Sequence, residues 1–230
     1  MLNTDGFTNF AVLMNIMSNN GIQAFKGCYM MQPEDIAHFA DTLSDGFGMY
    51  GLFRFICNGD YSHRKMQMFW AVTIALNKGA ICIADSKDAN SVLIYLPPGS
   101  KEPSIADYLK AGGLRMLFTL GLRSALKLLW FDNLSQRVAK RHKTDKDGYL
   151  MAFATRLSKQ GQHYGKPLME ALLSYLDSTG EGCYLETLKE GNVGLYGHFS
   201  FCPVEQLPLK KGGLTLYAMY RPRKGKEKEY

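Results

Sequence analysis

The stretch Ser158–Leu176, SKQGQHYGKPLMEALLSYL, joins two kinds of chemistry. Its first half is polar and holds Gly161 and Gly165; its second half carries apolar residues at helical spacing. Immediately upstream, Gly148–Thr155 (GYLMAFAT) has the composition of a buried strand. A strand that passes through a glycine-bearing turn into a helix leaves backbone N–H groups unpaired at the helix start, where they carry partial positive charge. Phosphates bind at such places. The stretch therefore reads either as a plain turn or as a cradle for an anion. The physics favours the cradle: the glycines allow close approach, and Gln160 and Lys166 add donors. The loop itself contains neither GxxxxGK[ST] nor GxGxxG, so it is neither a nucleotide triphosphate loop nor a dinucleotide fingerprint.

Downstream, CYLETL reads as a strand, NVGLYGHF as a short helix, and the chain then supplies a further strand and a last one, GGLTLYAMYRP. Asn192 and Tyr196 stand four residues apart and so share a face of that short helix. Upstream, residues 23–31 read as a first strand. QPEDIAHFADTLSDGFG reads as a helix with Pro33 in its first turn and Glu34 and Asp35 at the positive end of its dipole. SHRKMQMFWAVTIALNKG is a second helix with Ser62 as cap and Gly79 as stop. AICIAD and SVLIYLPPG, joined by SKDAN, form a hairpin pattern. A helical region from about Ser104 to His142 follows, with breaks expected near Gly112–Gly113 and near Asp132. This order predicts a mixed α/β sheet covered by helices.

Composition narrows the function classes. With 230 residues, 46% of them hydrophobic, the chain can bury a full core and is not a disordered one. The most apolar region, Leu114–Phe131, is interrupted by Arg115, Arg123 and Lys127, so no spanning segment is expected. Residues 1–22, with FTNFAVLMNIM, read as an N-terminal extension, not a signal peptide. The five cysteines are odd in number and widely spaced, with no CxxC pair; they read as free thiols in a reducing cytoplasm, and no metal is expected. Between Lys110 and Lys146 nine basic residues face two acids, and the tail 222–230 is basic as well. A solvated helix face explains this charge better than nucleic acid, because no aromatic residues are interleaved in a recognisable binding pattern.

Two motifs at this separation carry a resemblance. Gln160–Gly165 (QGQHYG) is similar to the Q/R-x-x-G-x-G/A phosphate-binding motif of the GNAT (GCN5-related N-acetyltransferase) superfamily. NVGLYGHFSF resembles its N-x-x-x-Y-x-x-x-G-F signature. LET and the closing MYRP resemble a bacterial branch typified by puromycin-type acetyltransferases. The likeness is strongest over residues 148–221; before that it rests on element order and on the YLPPG strand ending. Two positions depart from the motifs: His163 stands at the first glycine, where it either crowds a pyrophosphate or donates to it, and Ser200 stands at the glycine before the phenylalanine.

The resemblance implies a GNAT fold: a mixed central sheet, two splayed parallel strands (Tyr149–Thr155 and Gly182–Thr187), and helices on both faces. It implies one domain over 23–221, with 23–147 on the acceptor side and 148–221 binding acetyl-CoA. The pantetheine arm would lie along Phe153, Ala154 and Thr155. The pyrophosphate would sit on Gln160, Gly161, Gln162, His163, Tyr164, Gly165 and Lys166. Asn192 would hold the cofactor arm or a water, and Tyr196 would protonate the departing sulfur. The base is open between Glu186, His142 and a water chain. The acceptor would be a small primary amine, met by the aromatic and methionine residues of the first two helices and the Leu109–Trp130 region. No membrane partner, and a monomer or homodimer, are expected. A non-catalytic CoA-binding module is the alternative.

Overall fold

The computed structural model describes residues 25–101 and 103–225; the N-terminal extension and the last five residues of the basic tail lie outside them. Seven strands form one sheet: β1 (Tyr29–Met30), β2 (Ile81–Ala84), β3 (Ser91–Leu96), β4 (Asp147–Thr155), β5 (Gly182–Thr187), β6 (Cys202–Pro208) and β7 (Thr215–Arg221). Their spatial order is β1-β2-β3-β4-β5-β7-β6. The β4–β5 pair is parallel and every other pair is antiparallel. The first strand is shorter than expected: within residues 25–31 only Tyr29 and Met30 pair, against Ala84 and Ile83.

Among the described residues eight helices cover the sheet: α1 (Ile36–Gly46), α2 (Gly51–Ile56), α3 (His63–Leu76), α4 (Ile105–Lys110), α5 (Gly113–Leu120), α6 (Leu122–His142), α7 (Lys166–Thr179) and α8 (Gly191–Gly197). Several begin and end as their sequences require. Ser62 Oγ accepts from the Lys65 amide at the start of α3. Ser104 and Asp107 form a reciprocal capping box on α4. Gly180, at φ +67°, closes α7 in the left-handed conformation glycine supplies.

Two helix expectations need correction. No element is expected at Gly51–Ile56, yet a short helix forms there and buries Leu52, Phe53 and Ile56. A break is expected near Asp132, yet α6 runs through it for 21 residues. Gln136 Nε2 donates to Asp132 Oδ2 at 2.9 Å and Asn133 Nδ2 to the Leu129 carbonyl at 2.7 Å, so both polar side chains are satisfied along the helix. The break falls instead at Gly121, with φ +80°.

The sheet is filled on both faces. Along β3, Val92 and Ile94 join a core with Phe39, Leu43, Ile56, Met66 and Trp70 from α1, α2 and α3. Leu93 and Tyr95, pointing the other way, join Leu168, Leu172 and Leu176 of α7. A third cluster packs Val138 of α6 on Tyr184, Leu216, Ala218 and Tyr220.

The feature that positions the site is the parting of β4 and β5. They pair only at Asp147–Gly182, Gly148–Cys183 and Tyr149–Tyr184. Just beyond, the register of β4 on β3 slips: Tyr95 faces Leu150 and Ile94 faces Ala152, so Met151 is an extra residue. A bulge bends its strand. β4 stays on β3 as far as Thr155, while β5 stays on β7 as far as Thr187. The two strands therefore diverge.

Candidate active site

Between the parted strands lies a cavity of about 100 Å³, room for several waters. One wall is β4 from Tyr149 to Phe153. The other is the end of β5, with Glu186 and Thr187, followed by Leu188 and then Asn192 and Tyr196 of α8. Phe47 and Tyr50 from the α1–α2 connection, and Leu52, Phe53, Trp70 and Phe131 from the helices, complete it.

Tyr196 is buried, and no hydrogen bond to its hydroxyl is found among the described residues. Burial raises its pKa well above the usual tyrosine value, with Tyr50 adding to the effect, so the phenol stays protonated at neutral pH. The hydroxyl therefore carries the hydrogen that a hydrogen-bond or proton donor needs. Glu186 also borders the cavity. Burial pushes its carboxyl upward from the usual range, although Ser135 and Tyr184 both donate to it, Tyr184 at 2.7 Å. A carboxylate raised by its surroundings is suited to taking a proton.

Asn192 Nδ2 donates to Thr187 Oγ1 at 3.1 Å, and the same oxygen accepts the Lys189 amide at 3.3 Å. The Tyr50 hydroxyl lies 3.3 Å from it and accepts the Leu188 amide at 2.6 Å. Thr187 thus ties the end of β5 to α8 and to the loop before α2. The sequence singles out Tyr50 only as one of many aromatics and does not single out Thr187, because the hub joins residues 137 apart. Trp70 is a second missed feature: its ring borders the cavity, and its buried indole N–H meets no acceptor among the described residues. Buried donors of this kind are rare, and each costs about 1–3 kcal/mol.

The loop between β4 and α7 is exposed over Gln160–His163. It is narrower as a cradle than its sequence suggests. The amides of Gln160, Gln162 and Lys166 donate to the carbonyls of Leu157, Lys159 and His163. No acceptor is found among the described residues for those of Gly161, His163, Tyr164 and Gly165. The Gln160 side chain, expected as a free donor, gives its Nε2 hydrogen to the Thr155 carbonyl at 3.1 Å. Lys166 pairs loosely with Glu170 at 3.7 Å on the surface. Gly165 serves packing: a Cβ there would lie 2.6 Å from the Phe153 ring.

The two residues that depart from the motifs both adopt a backbone conformation that favours glycine. His163 has φ +65° and Ser200 has φ +64°, the left-handed region that side chains other than glycine enter at a cost. Phe153, Ala154 and Thr155 lie on β4 beyond the last pair with β5, so this edge of β4 has no strand partner there. His142 does not border the cavity; its Nε2 lies 2.7 Å from Glu205, which also takes Arg141 at 2.6 Å. Among the described residues no group of three or more His, Cys, Asp or Glu is placed to hold a metal ion, and no helix is long and apolar enough to cross a membrane.

Comparison with solved structures places this fold. A histone acetyltransferase HPA2 and related acetyltransferase from Corynebacterium glutamicum superposes with TM-score 0.63 at 18% identity, covering 88% of this chain and 99% of that one. The C-terminal condensation domain of Ebony, in complex with β-alanyl-dopamine, gives 0.60 at 6% identity, over 84% and 97%. An N-acetyltransferase from Staphylococcus aureus gives 0.51 at 14% identity, over 84% and 98%. Comparison with family models finds no match, and comparison with curated proteins finds none either. The class is therefore defined by architecture: this chain has the GNAT fold, with the parted parallel strands of that fold in place.

Proposed function

We propose that this protein moves an acetyl group from acetyl-CoA to a primary amine of a small molecule by direct attack. One observation carries the reading: a parted strand pair whose cavity is faced by an unbonded, protonated tyrosine on one side and a half-buried carboxylate on the other. The cofactor's pantetheine arm lies along the unpaired edge of β4 at Phe153–Thr155. Its diphosphate meets the free amides of Gly161, His163, Tyr164 and Gly165. The amine nitrogen attacks the thioester carbon, the C–N bond forms and the C–S bond breaks. Tyr196 gives its proton to the sulfur, and Glu186, directly or through a water, takes the proton lost by the nitrogen. Trp70 N–H and the Tyr50–Thr187 hub orient the acceptor side.

A small acceptor is supported by the aromatic wall of Phe47, Tyr50, Phe53 and Trp70. It is also supported by the Ebony domain, a protein of this fold in complex with the conjugate of an amine. The resemblance in LET and MYRP supports a bacterial enzyme akin to puromycin-type acetyltransferases, and the odd, widely spaced cysteines support a cytoplasmic one.

Titration calorimetry with acetyl-CoA tests the cofactor, and release of free thiol across a panel of amines tests the chemistry. Binding and turnover are expected together. No binding at millimolar cofactor rejects the reading. Binding without turnover on any amine favours the non-catalytic module, a reading that the two hydrogen bonds already held by Glu186 support.

A further inference from the structure

The solvent face of α6 changes character half-way along. In its second half the exposed residues include Asn133, Gln136, Arg137 and Lys140. In its first half they include Leu122, Leu126 and Leu129, 67%, 56% and 58% exposed. Exposed apolar residues also run along the chain before it, in α5, where Leu114, Leu117 and Phe118 are exposed, Phe118 at 83%. Large apolar side chains exposed in such a run mark a surface that meets something.

The charges around it say what. Lys110, Arg115 and Arg123 are exposed beside these residues. The one acid between Pro103 and Phe131 is Asp107, already held by Lys78 at 3.3 Å. Lys127 is spent inward on the Phe55 carbonyl and Asn58, both at 2.6 Å. A second copy apposed on the same face would bring these cations against their own equivalents. Leucines and a phenylalanine flanked by Lys and Arg are the composition of a helix that lies in the interface of an anionic bilayer.

We propose that α5 and the first half of α6 form a docking surface for an anionic phospholipid membrane. The apolar side chains enter the headgroup boundary, and Lys110, Arg115 and Arg123 meet lipid phosphates. This goes beyond the expectation of no membrane partner, which rested on the lack of a spanning segment. It is independent of the proposed acetyl transfer. It also brings the site close to the lipid: the inner side of α6 carries Phe131 to the cavity and Ser135 to Glu186.

Co-sedimentation of the full chain with vesicles tests it. Vesicles of equal parts phosphatidylcholine and phosphatidylglycerol should bind about tenfold or more tightly than pure phosphatidylcholine, and added salt should weaken that binding. The pair Phe118→Ser with Leu122→Ser, and the pair Arg115→Glu with Arg123→Glu, should each lower binding about tenfold or more. Asn133→Ser with Gln136→Ser, on the polar half of the same helix, should leave it unchanged. Thermal melts of each variant separate lost folding from lost binding, and the two vesicle types compared on the unaltered chain need no variant at all. No preference for the anionic vesicles overturns the proposal. So does a concentration-dependent dimer that the Phe118–Leu122 pair dissolves, since a second copy would then cover this face.

Discussion

At Asp147–Tyr149 and Gly182–Tyr184 the two parallel strands are paired, and within a few residues they have parted. The closed end is filled. A Cβ on Gly148 would fall 1.8 Å from the Tyr95 hydroxyl, and one on Gly182 would fall 2.4 Å from both Asp147 and Tyr220. Fully buried Asp147 accepts from Tyr220 at 3.0 Å, from Arg223 at 3.1 Å and from Thr144 at 2.7 Å. The open end has the reverse character: Tyr196 and Trp70 carry hydrogens with no acceptor among the described residues, and a cavity separates the walls. The difference teaches where stability and function reside on one strand pair. The well-bonded Asp147 and glycine-tight packing hold the base, although Arg221 Nε and Nη1, opposite Cys183 there, also meet no acceptor among the described residues; what sets the mouth apart is that its unmet groups stand in residues that line a cavity.

The largest effect should come from breaking the base. Asp147→Ala leaves Tyr220 and Arg223 without their buried acceptor, and urea unfolding should show a loss of about 3–5 kcal/mol. The same group sets a pH dependence. Burial raises its pKa, but bonds from Thr144, Tyr220 and Arg223 outweigh that and hold it below the ordinary 3.8. Its contribution is therefore complete above pH 3.8 and is lost as pH falls through the lower folded value. An acid titration of melting temperature should show the drop in the parent and a smaller one in Asp147→Asn.

Gly148→Ala should follow, at about 3 kcal/mol, because the Tyr95 ring it would strike is itself locked in the core. Cofactor binding at the mouth should weaken with it, since the base sets the angle at which β4 leaves β5. If the variant melts with the parent, the glycine is not what brings the strands together.

At the open end, Tyr196→Phe should cut acetyl transfer about a hundredfold, equal to about 2.7 kcal/mol of barrier, with no loss of stability. A hydroxyl without a protein partner contributes little to folding. A fall in melting temperature comparable to that of Asp147→Ala would show that the two ends are not built differently. The smallest effect belongs to the loop. His163→Gly and Ser200→Gly should each stabilise the protein by about 0.5 kcal/mol, since glycine removes the left-handed penalty at some cost in unfolded-chain entropy. Equilibrium unfolding resolves this, and a destabilised His163→Gly would show that the imidazole makes contacts worth more than the strain.

The sequence was most informative where one local stretch determines the outcome. The run from β4 through the loop, α7, β5 and α8 to β7 is legible because periodicity, glycines and caps all act over a few residues. The bulge at Met151 is not, because only pairing with Ile94 and Tyr95, more than fifty residues earlier, creates it. The expected break at Asp132 failed for a related reason: a turn-forming side chain found its partner one helical turn on, at Gln136. Glu186 and Asn192 could be picked out by residue type. What Glu186 does depends on Ser135 of a distant helix, and what Asn192 does depends on Thr187 and Tyr50. His142 stands close to β4 in sequence, yet Glu205 holds it away from the cavity.

The parted strands should receive the cofactor, and a crystal structure of the chain grown with acetyl-CoA tests that most directly. The thioester should lie between β4 beyond Tyr149 and the end of β5, with its sulfur in hydrogen-bonding reach of the Tyr196 hydroxyl and its diphosphate on the amides of Gly161 and His163–Gly165. A complex with the cofactor seated elsewhere, and the mouth of the strand pair closed by the protein's own side chains, would contradict it.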